Sequence, residues 1–110
     1  SKEKIMLERK VYDTITYCAN EKCAIVWVTL DMLKSLNIGE DEIEGLASIP
    51  RQIEGVLIGI TMKEKEGGFF KISVRTNGDI DAAKFCSKFG GGGHKAAAGC
   101  SINGSLEETL

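Results

Sequence analysis

The sequence has few chemically active side chains: one histidine among 110 residues, and four cysteines that form no Cys-x-x-Cys pair. We therefore do not expect it to be a complete enzyme, and since it begins at Ser1 rather than Met we expect a fragment. No apolar run approaches the roughly 18 residues that span a bilayer, and no signal peptide is recognisable. We expect a cytoplasmic protein, with no membrane contact and with reduced, mostly buried thiols.

The sequence also has no excess of basic residues: 14 Lys and Arg against 16 Asp and Glu leave a net charge of −2. A protein that coats long nucleic acid usually has a basic face and a high pI. The distribution is uneven, since residues 71–100 hold five Lys and Arg against two Asp, a net of +3. This bias suits a small, local anionic ligand.

The pattern of apolar residues predicts a single α/β domain, a mixed β-sheet flanked by helices. An amphipathic helix is expected from Lys4 to about Tyr17, so that residues 1–20 form a helix at the N-terminal edge of the domain. Asp31 and Asp79 are expected helix caps. Strands are predicted at residues 23–29, 56–65, 69–76 and 100–102, and further helices at 32–36, 41–47, 80–89, 94–98 and 106–110.

Four consecutive glycines at positions 90–93 precede His94. This run of glycines followed by a histidine is the feature of the sequence that most strongly suggests a function. Four glycines cost entropy to order, so we expect the backbone to need unusual dihedral angles or a close approach to a ligand. Their N–H groups could converge on one anion, and a helix beginning at His94 would add its dipole. The sequence therefore predicts a phosphate site formed by Gly91, Gly92, Gly93 and His94.

Arg75 and Thr76 end a predicted strand whose polar face carries Lys71, Ser73 and Arg75. A guanidinium in this place can bind two phosphate oxygens, and a threonine hydroxyl adds a donor. Interpretations that assign these residues no function remain open: a glycine run is often a flexible linker, and exposed His and Arg are usually solvated. A zinc site from Cys18, Cys23 and His94 is a weak alternative, because the spacing matches no standard pattern.

The run from Phe89 to Gly99, FGGGGHKAAAG, resembles the GGGH-x-x-AAG signature of the DHH-associated domain, the C-terminal half of DHH-family phosphoesterases. The segment 71–76, KISVRT, followed by Asp81 and a helix, is similar to the elements that precede that loop. Residues 44–46 and 51–56 resemble the oligoribonuclease branch, which degrades very short RNA and dephosphorylates 3′-phosphoadenosine-5′-phosphate. The likeness covers most of residues 30–106.

The resemblance implies that residues 1–110 are one substrate-binding domain and that an N-terminal catalytic domain, absent from this chain, is its partner. That partner holds two metal ions, typically manganese, through a motif that includes Asp-His-His. No metal ligand, cofactor or catalytic residue is implied for this chain. The residues implied to bind short RNA, DNA or a nucleoside bisphosphate are Arg75, Thr76, Gly91, Gly92, Gly93 and His94. Thr76 stands where the family often has Ser, and a hydroxyl is kept.

Two other functions compete with a substrate-binding domain for short oligonucleotides. A non-catalytic nucleic-acid module, as in a tRNA synthetase or a RecJ-like exonuclease, would bind folded RNA with a steep salt dependence. The weak basic content argues against it. A purely structural or dimerising domain would bind no ligand and would associate with itself.

Overall fold

A computed structural model of the chain describes residues 2–18, 20–38, 46, 49–77 and 80–104. Its helices are α1 (Lys2–Tyr12), α2 (Leu30–Leu36), a 3-10 turn (Pro50–Gln52) and α3 (Ala82–Ser87). Its strands are β1 (Thr16–Cys18), β2 (Cys23–Val28), β3 (Ile58–Lys65), β4 (Phe69–Thr76), β5 (Gly92–Gly93) and β6 (Ala97–Asn103). Among these helices, none is long and apolar enough to cross a membrane.

The six strands form one mixed sheet in the order β1-β2-β3-β4-β6-β5. Strands β2 and β3 run parallel, and every other neighbouring pair is antiparallel. The parallel pair requires a crossover, which the chain makes through α2 and the 3-10 turn. The mixed sheet with flanking helices confirms the predicted α/β class.

Helices lie on both faces of the sheet but at opposite ends of it. On the front face, α1 and α2 pack on β2 in an apolar cluster that includes Leu7, Val26 and Leu33. On the back face, α3 packs on β4 and β6 in a second cluster that includes Ile72 and Cys86. Because successive residues of a strand point to opposite faces, the front face near β4, β5 and β6 is left for polar side chains.

The predicted N-terminal helix over residues 1–20 is too long, and its last part is wrong. Helix α1 ends at Tyr12, and Thr16–Cys18 pairs with β2 as strand β1. The buried Thr14 hydroxyl donates to Val11 O at 2.7 Å and accepts from Trp27 N at 3.0 Å. A β-branched residue that bridges the helix end to a distant strand thus terminates the helix, which no local pattern reveals.

Several other predicted boundaries shift by a few residues. Helix α2 is capped by Thr29, whose hydroxyl accepts from Met32 N, rather than by Asp31. Helix α3 begins at Ala82 with Asp81 as its cap, which replaces the predicted cap Asp79, a residue outside the described ranges. The helices predicted at 41–47 and 106–110 also fall outside those ranges, apart from Leu46.

All four cysteines are free thiols, and Cys18 is exposed whereas the other three are buried. Burial raises the pKa of the Cys23 thiol to about 12, and a hydrogen bond with Cys18 adds to the rise. Burial likewise raises the pKa of Cys86 to about 11, with the charge of Cys100 adding to it. Cys18 and Cys23 lie at the β1 end of the sheet and His94 at the β5 end, so the zinc alternative is wrong.

We expect Cys18 to react first with iodoacetamide at pH 8, as one fast modification per chain in intact-mass spectrometry. The thiolate is the reactive form, and at pH 8 about one in a thousand or fewer of the Cys23 and Cys86 thiols is ionised. Cys18→Ser should remove the fast phase. Two thiols modified at the same fast rate would contradict the burial seen here.

Candidate functional site

The segment after the glycines is a β-hairpin, and the helix predicted at residues 94–98 is wrong. His94 N donates to Ala97 O at 2.7 Å and Ala97 N donates to His94 O at 3.3 Å, so these residues close a two-residue turn. Strand β6 then continues from Ala97 along β4. Pairing with a long central strand outweighs the helix propensity of three alanines. No helix dipole therefore points at His94.

The tip of this hairpin is fastened to the rest of the domain by its carbonyl groups. Lys95 O accepts from Ala82 N at 2.7 Å and lies 3.0 Å from the Thr76 hydroxyl. Thr76 N donates to Ala96 O at 3.0 Å, and the Thr76 hydroxyl also reaches Ile80 O at 2.8 Å. The end of β4 and the start of α3 thus hold the turn in a fixed place.

Strand register brings Arg75 and His94 onto the front face in one row across the sheet. Arg75 pairs with Ala97, and His94 closes the hairpin directly opposite Ala97. Residues paired across an antiparallel ladder share a face, so the side chains of Arg75 and His94 flank the small Ala97. With strands about 4.8 Å apart, their Cα atoms lie about 10 Å from each other.

The next row of the front face lines up Ser73, Gly99 and Gly92. Two glycines and Ala97 thus give a floor with almost no side chains, beside the half-buried Ser73 and Arg75 and the exposed His94. We call this area the basin: a floor of Gly92, Ala97 and Gly99, flanked by Arg75 and His94.

The four positions of the loop are occupied by glycine for different structural reasons. Gly90 has a φ of +80°, which favours glycine. A Cβ at Gly91 would overlap Gly99 O and lie 2.6 Å from the Cβ of Cys100, and one at Gly93 would lie 2.6 Å from the Cα of Ala98. A Cβ at Gly92 would meet nothing within 4 Å. Backbone conformation at Gly90 and packing at Gly91 and Gly93 account for three of these glycines, and Gly92 is left to another cause.

The N–H groups of the loop do not converge on one point as expected. Gly90 N donates to Ser87 O at 3.2 Å, and Gly91 N donates to Cys86 O at 3.0 Å. Since His94 and Ala97 exchange two hydrogen bonds, the adjacent pair Gly93–Ala98 is a non-hydrogen-bonded pair. The Gly93 N–H therefore points away from β6, toward the outer edge of the sheet beside His94.

The structure thus brings Arg75, His94, Gly92 and Gly93 together, whereas Gly91 packs against β6 and Thr76 is buried at 4% exposure. Ala97 and Gly99, whose small size opens the floor between Arg75 and His94, were not predicted from the sequence. Their signal is alternation along β6, which the helical interpretation of the alanines concealed.

The described residues offer no cluster for a metal ion. Nowhere in the part of the chain that the structure describes do three His, Cys, Asp or Glu side chains lie together.

Comparison with known proteins places the chain in a family. The model of the DHHA1 domain matches residues 20–110. Over 65 residues the chain is 32% identical to the bifunctional oligoribonuclease and PAP phosphatase NrnA of Thermus thermophilus, an alignment that covers 59% of this chain and 20% of that protein.

Two solved structures share the fold. An exopolyphosphatase-related protein from Bacteroides fragilis superposes with a TM-score of 0.89 at 25% identity, over 98% of this chain and 32% of that one. A pGpG-specific phosphodiesterase, PggH, from Vibrio cholerae superposes with a TM-score of 0.62 at 15% identity, over 98% and 35%. The chain therefore spans about a third or less of the length of these relatives.

Proposed function

The chain belongs to the DHHA1 domain family, and we propose that it is the substrate-binding domain of a metal-dependent DHH phosphoesterase that hydrolyses short RNA or nucleoside bisphosphates. The basin on the front face holds the phosphate of the substrate.

One observation carries the proposal: Arg75 and His94 stand on either side of a floor that lacks side chains. A guanidinium can bind two phosphate oxygens at once, and an imidazole N–H can donate to a third. The outward N–H of Gly93 adds a backbone donor at the same edge. Gly92 has no packing reason to be glycine, and a ligand lying on it supplies one.

The low charge of the chain favours short substrates. Long nucleic acid binds through many Lys and Arg contacts to phosphates, whereas this chain has a net charge of −2. The Thermus relative is named for oligoribonuclease and PAP phosphatase activities, which gives two ligand classes to test. Both place one or a few phosphates beside a nucleoside.

In this proposal the chain binds and orients, and hydrolysis takes place at metal ions held by a separate catalytic domain of the same parent protein. Manganese is the metal proposed there, and it would activate the attacking water. The Arg75 guanidinium offsets the charge of the phosphate, and hydrogen bonds from Arg75 and His94 fix its position. Thr76 acts through the hairpin tip, because its one hydroxyl hydrogen is already shared between the carbonyls of Ile80 and Lys95. Four free thiols are in keeping with a cytoplasmic protein.

Amide NMR titration of the chain with 3′-phosphoadenosine-5′-phosphate and with a diribonucleotide tests the proposal. We expect shifts to cluster on Arg75, Gly92, Gly93 and His94. Arg75→Ala should raise the Kd about 10- to 100-fold, since a hydrogen bond to a charged group contributes about 1.5–3 kcal/mol. His94→Ala should weaken binding in the same direction.

Arg9→Ala is the matched control, because it removes an exposed guanidinium from α1 at the far end of the sheet. It should leave the Kd unchanged. Shifts located away from the basin, or equal affinity in the Arg75→Ala and Arg9→Ala variants, would refute the basin as the phosphate site. Tight binding of folded RNA with a steep salt dependence would favour the nucleic-acid module instead.

A further inference from the structure

A second polar depression lies around the sheet edge from the basin, between α3 and the hairpin tip. It has a volume of about 500 Å³ and is lined by Asp81, Lys84, Phe85, Lys88 and Lys95. Its three lysines are all exposed. None of the residues assigned to the basin contributes to it, so the depression is a separate feature of the surface.

The charge of this depression is positive and local. Three ammonium groups face one carboxylate, and that carboxylate is engaged because Asp81 Oδ1 accepts from Lys84 N at 3.1 Å. In a chain with a net charge of −2, such a cluster marks a place for a limited number of anionic groups.

An aromatic pair lies beside these lysines. The rings of Phe85 and Phe89 are 5.8 Å apart between centroids, at an angle of 50°. Phe85 lines the depression, and Phe89 is 49% exposed. Aromatic rings with nearby cations are the groups that bind single-stranded nucleic acid, through base stacking and phosphate contacts. An acidic peptide would use the lysines but would gain little from the rings.

The position of the depression connects it to the basin. Lys95 directly follows His94 in the two-residue turn, and its carbonyl is fastened to Ala82 N at the start of α3. His94 thus lies on the front-face side of the turn, and the lysines of α3 lie on its back-face side. A strand whose phosphate lies in the basin would reach the depression by passing over the hairpin tip.

We propose that Lys84, Phe85, Lys88 and Lys95 form a second subsite, which binds the next nucleotides of a single-stranded oligonucleotide whose end lies in the basin. This inference rests on the proposed function, since it extends the same ligand. The lysines contact backbone phosphates, and the ring of Phe85 stacks on a base. The subsite makes affinity depend on chain length over a few nucleotides.

Binding of 5′-phosphorylated oligoadenylates of one to five nucleotides to the 110-residue chain, measured by anisotropy competition between 50 and 200 mM salt, tests the subsite. The double variant Lys84→Gln/Lys88→Gln should raise the Kd of the pentanucleotide about tenfold. It should leave unchanged the Kd of adenosine 3′,5′-bisphosphate, which is the same compound as 3′-phosphoadenosine-5′-phosphate. The slope of log K against log salt should fall by about 1.4, since each phosphate contact on a single strand contributes about 0.7. Phe85→Leu, which keeps apolar packing, should weaken the pentanucleotide about fivefold or more.

Lys10→Gln/Lys34→Gln is the control, with the same charge change on exposed positions of α1 and α2. Affinity that does not depend on length, or an equal loss in both double variants, overturns the subsite while bisphosphate binding in the basin stands. Pentanucleotide binding that needs the lysines without any bisphosphate binding refutes the basin and, with it, the subsite as an extension of a ligand held there. No binding of any oligoadenylate, or equal binding of a pentaglutamate peptide, overturns the subsite as well.

Discussion

Gly91→Ala is expected to destabilise the domain by about 3 kcal/mol, whereas Gly92→Ala changes its stability by less than about 0.5 kcal/mol. A Cβ at Gly91 would overlap the Gly99 carbonyl and crowd Cys100, and both obstacles belong to a paired strand that cannot yield freely. Position 92 is open. Urea unfolding of both variants measures the difference, with equal losses contradicting it.

The same pair of variants separates folding from binding. The methyl group of Gly92→Ala would stand on the floor of the basin, where the proposed phosphate lies. We therefore expect this variant to fold normally and to bind adenosine 3′,5′-bisphosphate about tenfold more weakly in calorimetry. Unchanged affinity would show that the ligand does not approach Gly92, and the absence of a side chain there would need another explanation.

Thr76→Val is expected to cost about 1–3 kcal/mol of stability, although it preserves the shape of the side chain. Thr76 is 4% exposed, and its hydroxyl reaches both Ile80 O and Lys95 O. Valine removes the one hydroxyl hydrogen that these two carbonyls share, and Lys95 O keeps its bond from Ala82 N. Thr76→Ser, which keeps the hydroxyl, should retain most of the stability.

A readout at the hairpin tip distinguishes positioning from general destabilisation. Hydrogen exchange at Ala82 N, which donates to Lys95 O, should accelerate in Thr76→Val more than exchange at the centre of β4. Phosphate affinity should fall along with the order of the tip, since His94 is adjacent to it. Weaker binding with unchanged exchange at Ala82 would indicate instead that the hydroxyl contacts the ligand directly.

The sequence predicts those parts of the fold that depend on neighbours along the chain. The hairpin of β3 and β4 follows from alternation in β4 and from Gly67 and Gly68, both of which have positive φ. The limits of β4 match the prediction, and the glycine loop with His94 and Arg75 was identified from residue type. These features have local causes, so local patterns suffice.

The geometry of the candidate site depends on contacts between distant residues. Ala97 lies in a strand because it pairs with Arg75, 22 positions earlier, and propensity alone favours a helix there. Likewise α1 stops where Thr14 bonds to Trp27. Register across β4, β6 and β5 sets the spacing of the Arg75 and His94 side chains, and no single-segment pattern encodes register.

The sheet begins and ends with very short strands: β1 has three residues and β5 has two. An outer strand with a long row of unpaired peptide groups invites other chains to add to it, and short outer strands remove that template. The glycine hairpin thus limits aggregation as well as forming part of the basin. Substitutions that lengthened β5 would be expected to raise the stability of the domain and to lower its solubility. Light scattering at high concentration measures the loss of solubility.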